Sequence, residues 1–102
     1  MGIDLNSLLQ SGAFSFIKLD EACEILGEKK SYFYAAIADG TNPPQIKNGK
    51  SSNWAKHEVL AILSARLSGA TKDKQRDIVR EWVAARPKIS EFWMAALTAV
   101  AA

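Results

Sequence analysis

Four lysines in two clusters carry the chemistry that this chain can best perform, and that chemistry is neutralisation of a polyanion. Lys29 and Lys30 open a stretch that continues Ser31, Tyr32, Phe33, Tyr34 and Ala35, while Lys47 and Lys50 flank the pair Asn48-Gly49. Each lysine alone would be an ordinary solvated charge. Placed together at a helix start and on a hairpin tip, their ammonium groups suit phosphates on either side of one groove. Ser31 and Ala35 stand one helical turn apart on the outward face, flanked by Lys30 and Tyr34, where small side chains admit base edges. One of Tyr32 and Tyr34 is expected to pack at the domain edge, and Tyr34 is the candidate for a phosphate contact. The candidate contact set for double-stranded DNA is therefore Lys29, Lys30, Ser31, Tyr34, Ala35, Lys47 and Lys50.

These residues need a scaffold, and the pattern around them supplies one. Phe14 to Leu19 alternate as a strand. Leu19, Ala22, Cys23 and Leu26 then form an apolar stripe on a helix that Asp20 would cap and Gly27 would end. A second helix runs from about Lys30 to Ala38, with Phe33 and Ile37 inward and Gly40 as its stop. Asn42-Pro43-Pro44 breaks it, since consecutive prolines cannot continue a helix. Asn48-Gly49 is the pair that most readily takes two positive φ angles, so a type I′ turn is expected between strands Gln45 to Asn48 and Ser51 to Trp54. The first strand can add to this hairpin as a third member.

A longer helix over Lys56 to Ser68 presents Val59, Leu60, Leu63 and Leu67 on one face with Ile62 beside it. Another, capped by Thr71, places Ile78, Val79, Trp82 and Val83 at helical spacing and is expected to stop at Pro87. The tail carries a further stripe of Ile89, Phe92, Trp93, Leu97 and Val100, capped by Ser90. Trp54, Phe33, Ile37, Leu26 and Leu63 are the expected core. The fold class that follows is mainly α with a small β-hairpin wing (α+β), a winged helix-turn-helix with additional C-terminal helices. Its parts are residues 1–13 as a lead-in with a turn of helix around Leu5, Leu8 and Leu9, 14–68 as the DNA-binding domain, and 69–102 as a helical extension.

Length and composition bound the function. The chain has 102 residues, 48% hydrophobic, enough for one small core. Its net charge of +2 is modest, but residues 27–56 hold five lysines against Glu28 and Asp39, whereas residues 1–26 are net acidic. One cysteine, Cys23, permits no intramolecular disulfide, and with one histidine it cannot build a four-ligand zinc site, so no metal is expected. Cys23 is expected as a small buried hydrophobe, and His57 near a helix start. No nucleophile, base and orienting group converge, and no glycine-rich phosphate loop follows a strand, so no catalytic residue or cofactor is expected, nor enzymatic activity. No apolar run reaches the length of a membrane span, the start lacks a signal-peptide plan, and Asn6 breaks the myristoylation pattern. The expected setting is the cytoplasm, with no membrane partner.

Residues 14–68 resemble the AlpA family of small prophage and genomic-island regulators, relatives of phage excisionases and of the MerR-like winged-helix group. The resemblance runs from Phe16-Ile17-Lys18-Leu19 and Asp20-Glu21-Ala22-Cys23 through Gly27, Ser31 and Tyr34 to Gly40 and Pro43. It continues with Ile46, Lys47, Gly49, Lys50 and Trp54, and closes with Glu58-Val59. The family usually has serine where Lys29 stands, often arginine where Ala35 stands, and arginine where Lys50 stands in the wing. The resemblance implies DNA binding with the second helix in the major groove and the wing on adjacent backbone or minor groove. It further implies a transcriptional regulator of an integrase operon, or an excisionase (recombination directionality factor) working with an integrase.

Two alternatives stay open. One is a DNA-binding subunit for phage packaging, because small terminase domains use a similar fold. The other is a protein-interaction module that keeps the fold but has lost DNA binding, favoured by Ala35 and the modest net charge and opposed by the hairpin lysines. Residues 71–86 are expected to fold back on the winged domain; a homodimer seam through 71–102 is the other use of these apolar stripes.

Overall fold

Phe16–Ile17 forms a short strand, β1, and the chain passes at Lys18 into the first helix, α1 (Leu19–Leu26). The structure, a computed structural model, describes residues 12–101, the side chains of 96, 97 and 99–101 excepted. The turn expected around Leu5, Leu8 and Leu9 lies outside the described residues, as do the side chains of Leu97 and Val100.

Asp20 does not cap α1. Extended Lys18 occupies the cap position without a side-chain capping bond to the helix, and Asp20 falls in the first turn with Glu21, where carboxylates face the positive end of the helix dipole. The C-terminus follows expectation: Gly27 takes φ 64°, and the N–H groups of Gly27 and Glu28 donate to the carbonyls of Glu24 and Cys23 at 3.2 and 3.0 Å. Two residues later α2 (Lys30–Asp39) begins, and it ends in the same way at Gly40. Helix, short turn and helix are thus fixed by two left-handed glycines.

Pro43 and Pro44 redirect the chain into the hairpin, β2 (Ile46–Asn48) and β3 (Ser51–Ala55). Asn48 pairs with Ser51, as the expected strand bounds require, so the two loop residues are Gly49-Lys50. Gly49 has φ 63° and no residue other than glycine has positive φ among those described, a type II′ pattern in place of the expected I′. Pairing Asn48 into the ladder shifts the glycine to the first central position, where II′ requires it. β1 adds antiparallel to β3, giving the order β1-β3-β2. Lys18 Nζ donates to Asn53 Oδ1 at 2.7 Å, and the Lys56 N–H to the Ser15 carbonyl at 2.9 Å, closing the sheet edge onto the next helix.

The core gathers Ile17, Ala22, Cys23, Phe33, Trp54 and Val59, with Leu26 and Ile37 partly buried against it. Phe33 and Trp54 meet edge to face at 5.4 Å, which locks α2 to the hairpin. Helix α3 (Lys56–Leu67) is rotated from its expected orientation. It buries Glu58, Val59, Ile62 and Ala65, leaves Leu60 and Leu63 half-buried and exposes 79% of Leu67. The rotation arises because α3 packs on α1 through one side and on the last helix through another, where a charged residue, Glu58, is drawn in by an arginine.

That last helix, α4 (Lys72–Ala101), is continuous through Pro87, where two helices were expected. Thr71 caps it, accepting from the Lys74 N–H at 3.1 Å. An interior proline costs about 3 kcal/mol, and contacts on both sides of it offset this. Arg86 reaches Glu58 and the Pro44 carbonyl, while Trp93 packs edge to face on Phe14 at 5.1 Å. Residues 72–86 fold back on α3 as expected, with Val79 buried and the Arg66 Nε donating to Gln75 Oε1 at 3.2 Å. The architecture is a mainly helical winged helix-turn-helix with one long C-terminal helix.

Candidate nucleic-acid interface

With Phe33 and Ala36 buried, α2 turns Ser31, Ala35 and Ala38 outward, flanked by Tyr34 on one side and Tyr32 on the other. All three central residues are small, so nothing bulky blocks close approach to this face. Tyr34 is nearly half exposed, and its ring lies against Trp54 and Phe33 at centroid distances of 6.4 and 6.3 Å. It is thus packed at the junction of helix and wing with one edge open. Tyr32 is the more exposed of the two.

The start of α2 has an unusual electrostatic design. Lys29, at the cap position in extended conformation, makes no side-chain cap, and the first turn contains no acidic residue. Uncapped N–H groups and the helix dipole both favour an anion there, and two lysines occupy the site instead. Lys30 pairs with Asp20 at 3.2 Å across exposed solvent, an interaction easily exchanged for another anion. Lys29, Lys47 and Lys50 have no ion-pair partner among the described residues. Lys47 stands exposed opposite Ser52 on the hairpin, and Lys50 forms its tip beside left-handed Gly49.

Ala35 does not look onto open solvent alone. It lines a cleft with Tyr32, Asp39, Arg66, Lys72 and Gln75, so the start of α4 stands beside the outer face of α2. Arg76 joins the two helices, its Nε donating to the Asp39 carbonyl at 2.9 Å and its Nη2 to the Asp39 carboxylate at 3.0 Å. Its guanidinium is held above its usual range, first by this hydrogen bond to Asp39.

The turn between α1 and α2 is fastened from below by side chains absent from the expected set. Asn42, fully buried, donates to Glu28 Oε2 at 3.2 Å and to the Phe33 carbonyl at 3.3 Å, and accepts from Arg66 Nη2 at 2.7 Å. Arg66 also pairs with Glu28. One polar cluster therefore joins the turn, α2, the entry to the wing and α3, and sets how α2 is presented. Its members lie up to 38 residues apart, so no local pattern announces them.

On another side of the molecule, a groove of about 620 Å³ is lined by Phe14, Phe16, Ile46, Arg86, Ile89 and Trp93. His57 borders it, both ring nitrogens buried without a hydrogen-bond partner among the described residues and its ring against Phe14 and Trp82. Burial pushes the imidazole below its usual value; Glu58 opposes this and Arg86 adds to it. Cys23 is buried, and desolvation, with Glu28 and Asp20, raises its thiol. Among the described residues no three His, Cys, Asp or Glu side chains gather as metal ligands, and no helix is long and apolar enough to cross a membrane.

Comparison with known proteins adds one similarity. The chain is 33% identical over 55 residues to a protein of Enterobacteria phage P4 described as "Uncharacterized protein ORF88", a match covering 53% of this chain and 62% of that one. The chain thus spans less than two thirds of the length of that relative. No protein-family model matches the chain, and no solved structure does.

Proposed function

We propose that this chain binds double-stranded DNA in a prophage or genomic island, α2 entering the major groove and the hairpin following adjacent backbone. The observation that carries this reading is the start of α2: an uncapped helix N-terminus with Lys29 and Lys30 and no carboxylate in its first turn. For folding alone this placement is unfavourable by roughly 0.3 to 1 kcal/mol per cation. A phosphate would satisfy the free N–H groups and both ammonium groups together. The exposed lysines of the hairpin and the small outward residues of α2 support the same reading, and the phage P4 relative supports a phage source. The role is that of a transcriptional regulator or an excisionase acting with an integrase.

Selection of bound duplexes from a random pool tests this. The wild-type chain should enrich a defined motif, and Ala35→Arg should shift that motif or tighten binding, since a guanidinium on this face can reach guanine or phosphate. Absence of any enriched motif would count against sequence-specific recognition.

A second reading, a protein-interaction module, is favoured by the apolar groove beside Phe16, which is 58% exposed, and by exposed Phe92 and Met94 on α4. The two readings use different surfaces and make different demands on the lysines.

A further inference from the structure

We infer that the first turn of α4 belongs to the DNA-contacting surface, with Lys72 meeting a backbone phosphate on the side of α2 opposite the wing. This rests on the DNA-binding reading and extends it to a residue outside the helix-turn-helix and hairpin. Residues two apart on a helix point about 200° apart. Tyr34, whose ring meets Trp54 of the hairpin, and Tyr32 therefore mark opposite flanks of α2. The Tyr32 flank is the cleft that Lys72 and Gln75 close from the other side, with exposed Ala35 among its lining residues.

Two features make Lys72 the free charge of this cleft. Arg76 fixes the turn in place through Asp39 and also pairs with Asp73 at 2.7 Å, so it neutralises the acid nearest the outer face of α2 and the acid next to Lys72. Arg66, the other cation lining the cleft, is committed to Glu28, Asn42 and Gln75. Lys72 is exposed and has no ion-pair partner among the described residues. A helix in the major groove has a phosphate strand on each side. Lysines of the wing serve one strand in this arrangement, and Lys72 the other.

The test compares the salt dependence of duplex DNA binding, by fluorescence anisotropy, for the wild type, Lys72→Ala and Lys74→Ala. Lys74 is exposed on the same turn and carries the same charge, but does not line the cleft, so it controls for net charge. Loss of one phosphate contact flattens the slope of log affinity against log salt by about 0.9. The expected result is that change for Lys72→Ala and an unchanged slope for Lys74→Ala. Equal effects from both variants, or an unchanged slope for Lys72→Ala beside a salt-dependent wild type, overturn the assignment and leave the DNA-binding reading standing. A wild type without salt-dependent binding removes that reading and Lys72 with it.

Discussion

Arg86 grips the buried carboxylate of Glu58 with two hydrogen bonds of 2.7 Å each, from Nε and Nη2, and Nη2 also donates to the Pro44 carbonyl at 3.0 Å. Glu58 is 1% exposed. One guanidinium thus joins α4 to the start of α3 and to the segment that enters the hairpin, so the long helix is a structural part of the winged domain. Removing the cation alone leaves a buried carboxylate unpaired. Arg86→Met should destabilise the protein by about 3 to 5 kcal/mol, and a Glu58→Leu, Arg86→Met pair should recover most of that loss. Urea unfolding measures both; a single variant within 1 kcal/mol of wild type would show that α4 does not depend on this pair.

His57 supplies a pH dependence whose sign is fixed by its burial. Its folded value lies below the usual 6.5, so the unfolded chain binds the extra proton more readily. Its contribution to stability is complete above about pH 6.5, declines as pH falls, and levels off once the folded imidazole is itself protonated. His57→Phe keeps an aromatic ring against Phe14 and Trp82 and should flatten this decline. Thermal melts between about pH 6.5 and 5.5 would show parallel curves for the two proteins if His57 were freely solvated.

Trp54 separates packing from hydrogen bonding. It is buried against Phe33, yet its indole N–H has no partner among the described residues. Trp54→Ala should cost about 3 to 5 kcal/mol by leaving a cavity. Trp54→Phe loses volume but also removes an unsatisfied donor, so it should cost much less. Equal losses in denaturant melts would mean that the N–H is satisfied after all.

Lys29 should show a trade-off between stability and binding. Its backbone is already extended as a cap residue requires, so Lys29→Ser supplies the missing acceptor and should stabilise the protein by about 1 kcal/mol. The same change removes the proposed phosphate contact and should weaken DNA binding. Melting temperature and duplex affinity rising together would place this end of α2 away from DNA.

Local signals in the chain are good guides to the elements and poor guides to how they lock together. Gly27, Gly40 and Pro43-Pro44 mark the helix ends because each acts on its own backbone, and the alternation around Phe16 and Trp54 marks the sheet. Asn48-Gly49 marks a hairpin, but Asn48 lies within the ladder opposite Ser51, so only Gly49 takes a positive φ and the turn is not the type I′ that the pair suggests. Pro87 reads as a stop because the contacts that carry α4 past it, Arg86 to Glu58 and Trp93 to Phe14, join distant segments. The same holds at the candidate interface. The outward set on α2 follows from helical spacing about Phe33, whereas Asn42, Arg66, Lys72 and Arg76 reach it only through tertiary packing.

Phosphate binding at the start of α2 and on the hairpin is what the proposed function requires. Its most direct measurement is a fluorescence anisotropy titration of a mixed-sequence duplex at several salt concentrations, for wild type and for a Lys47→Ala, Lys50→Ala variant. Affinity should fall steeply with salt for the wild type, and the double variant should bind all duplexes more weakly with a slope shallower by about 1.8, two contacts at about 0.9 each. No binding by the wild type, or identical slopes for the two proteins, would contradict it and favour the apolar groove as the working surface.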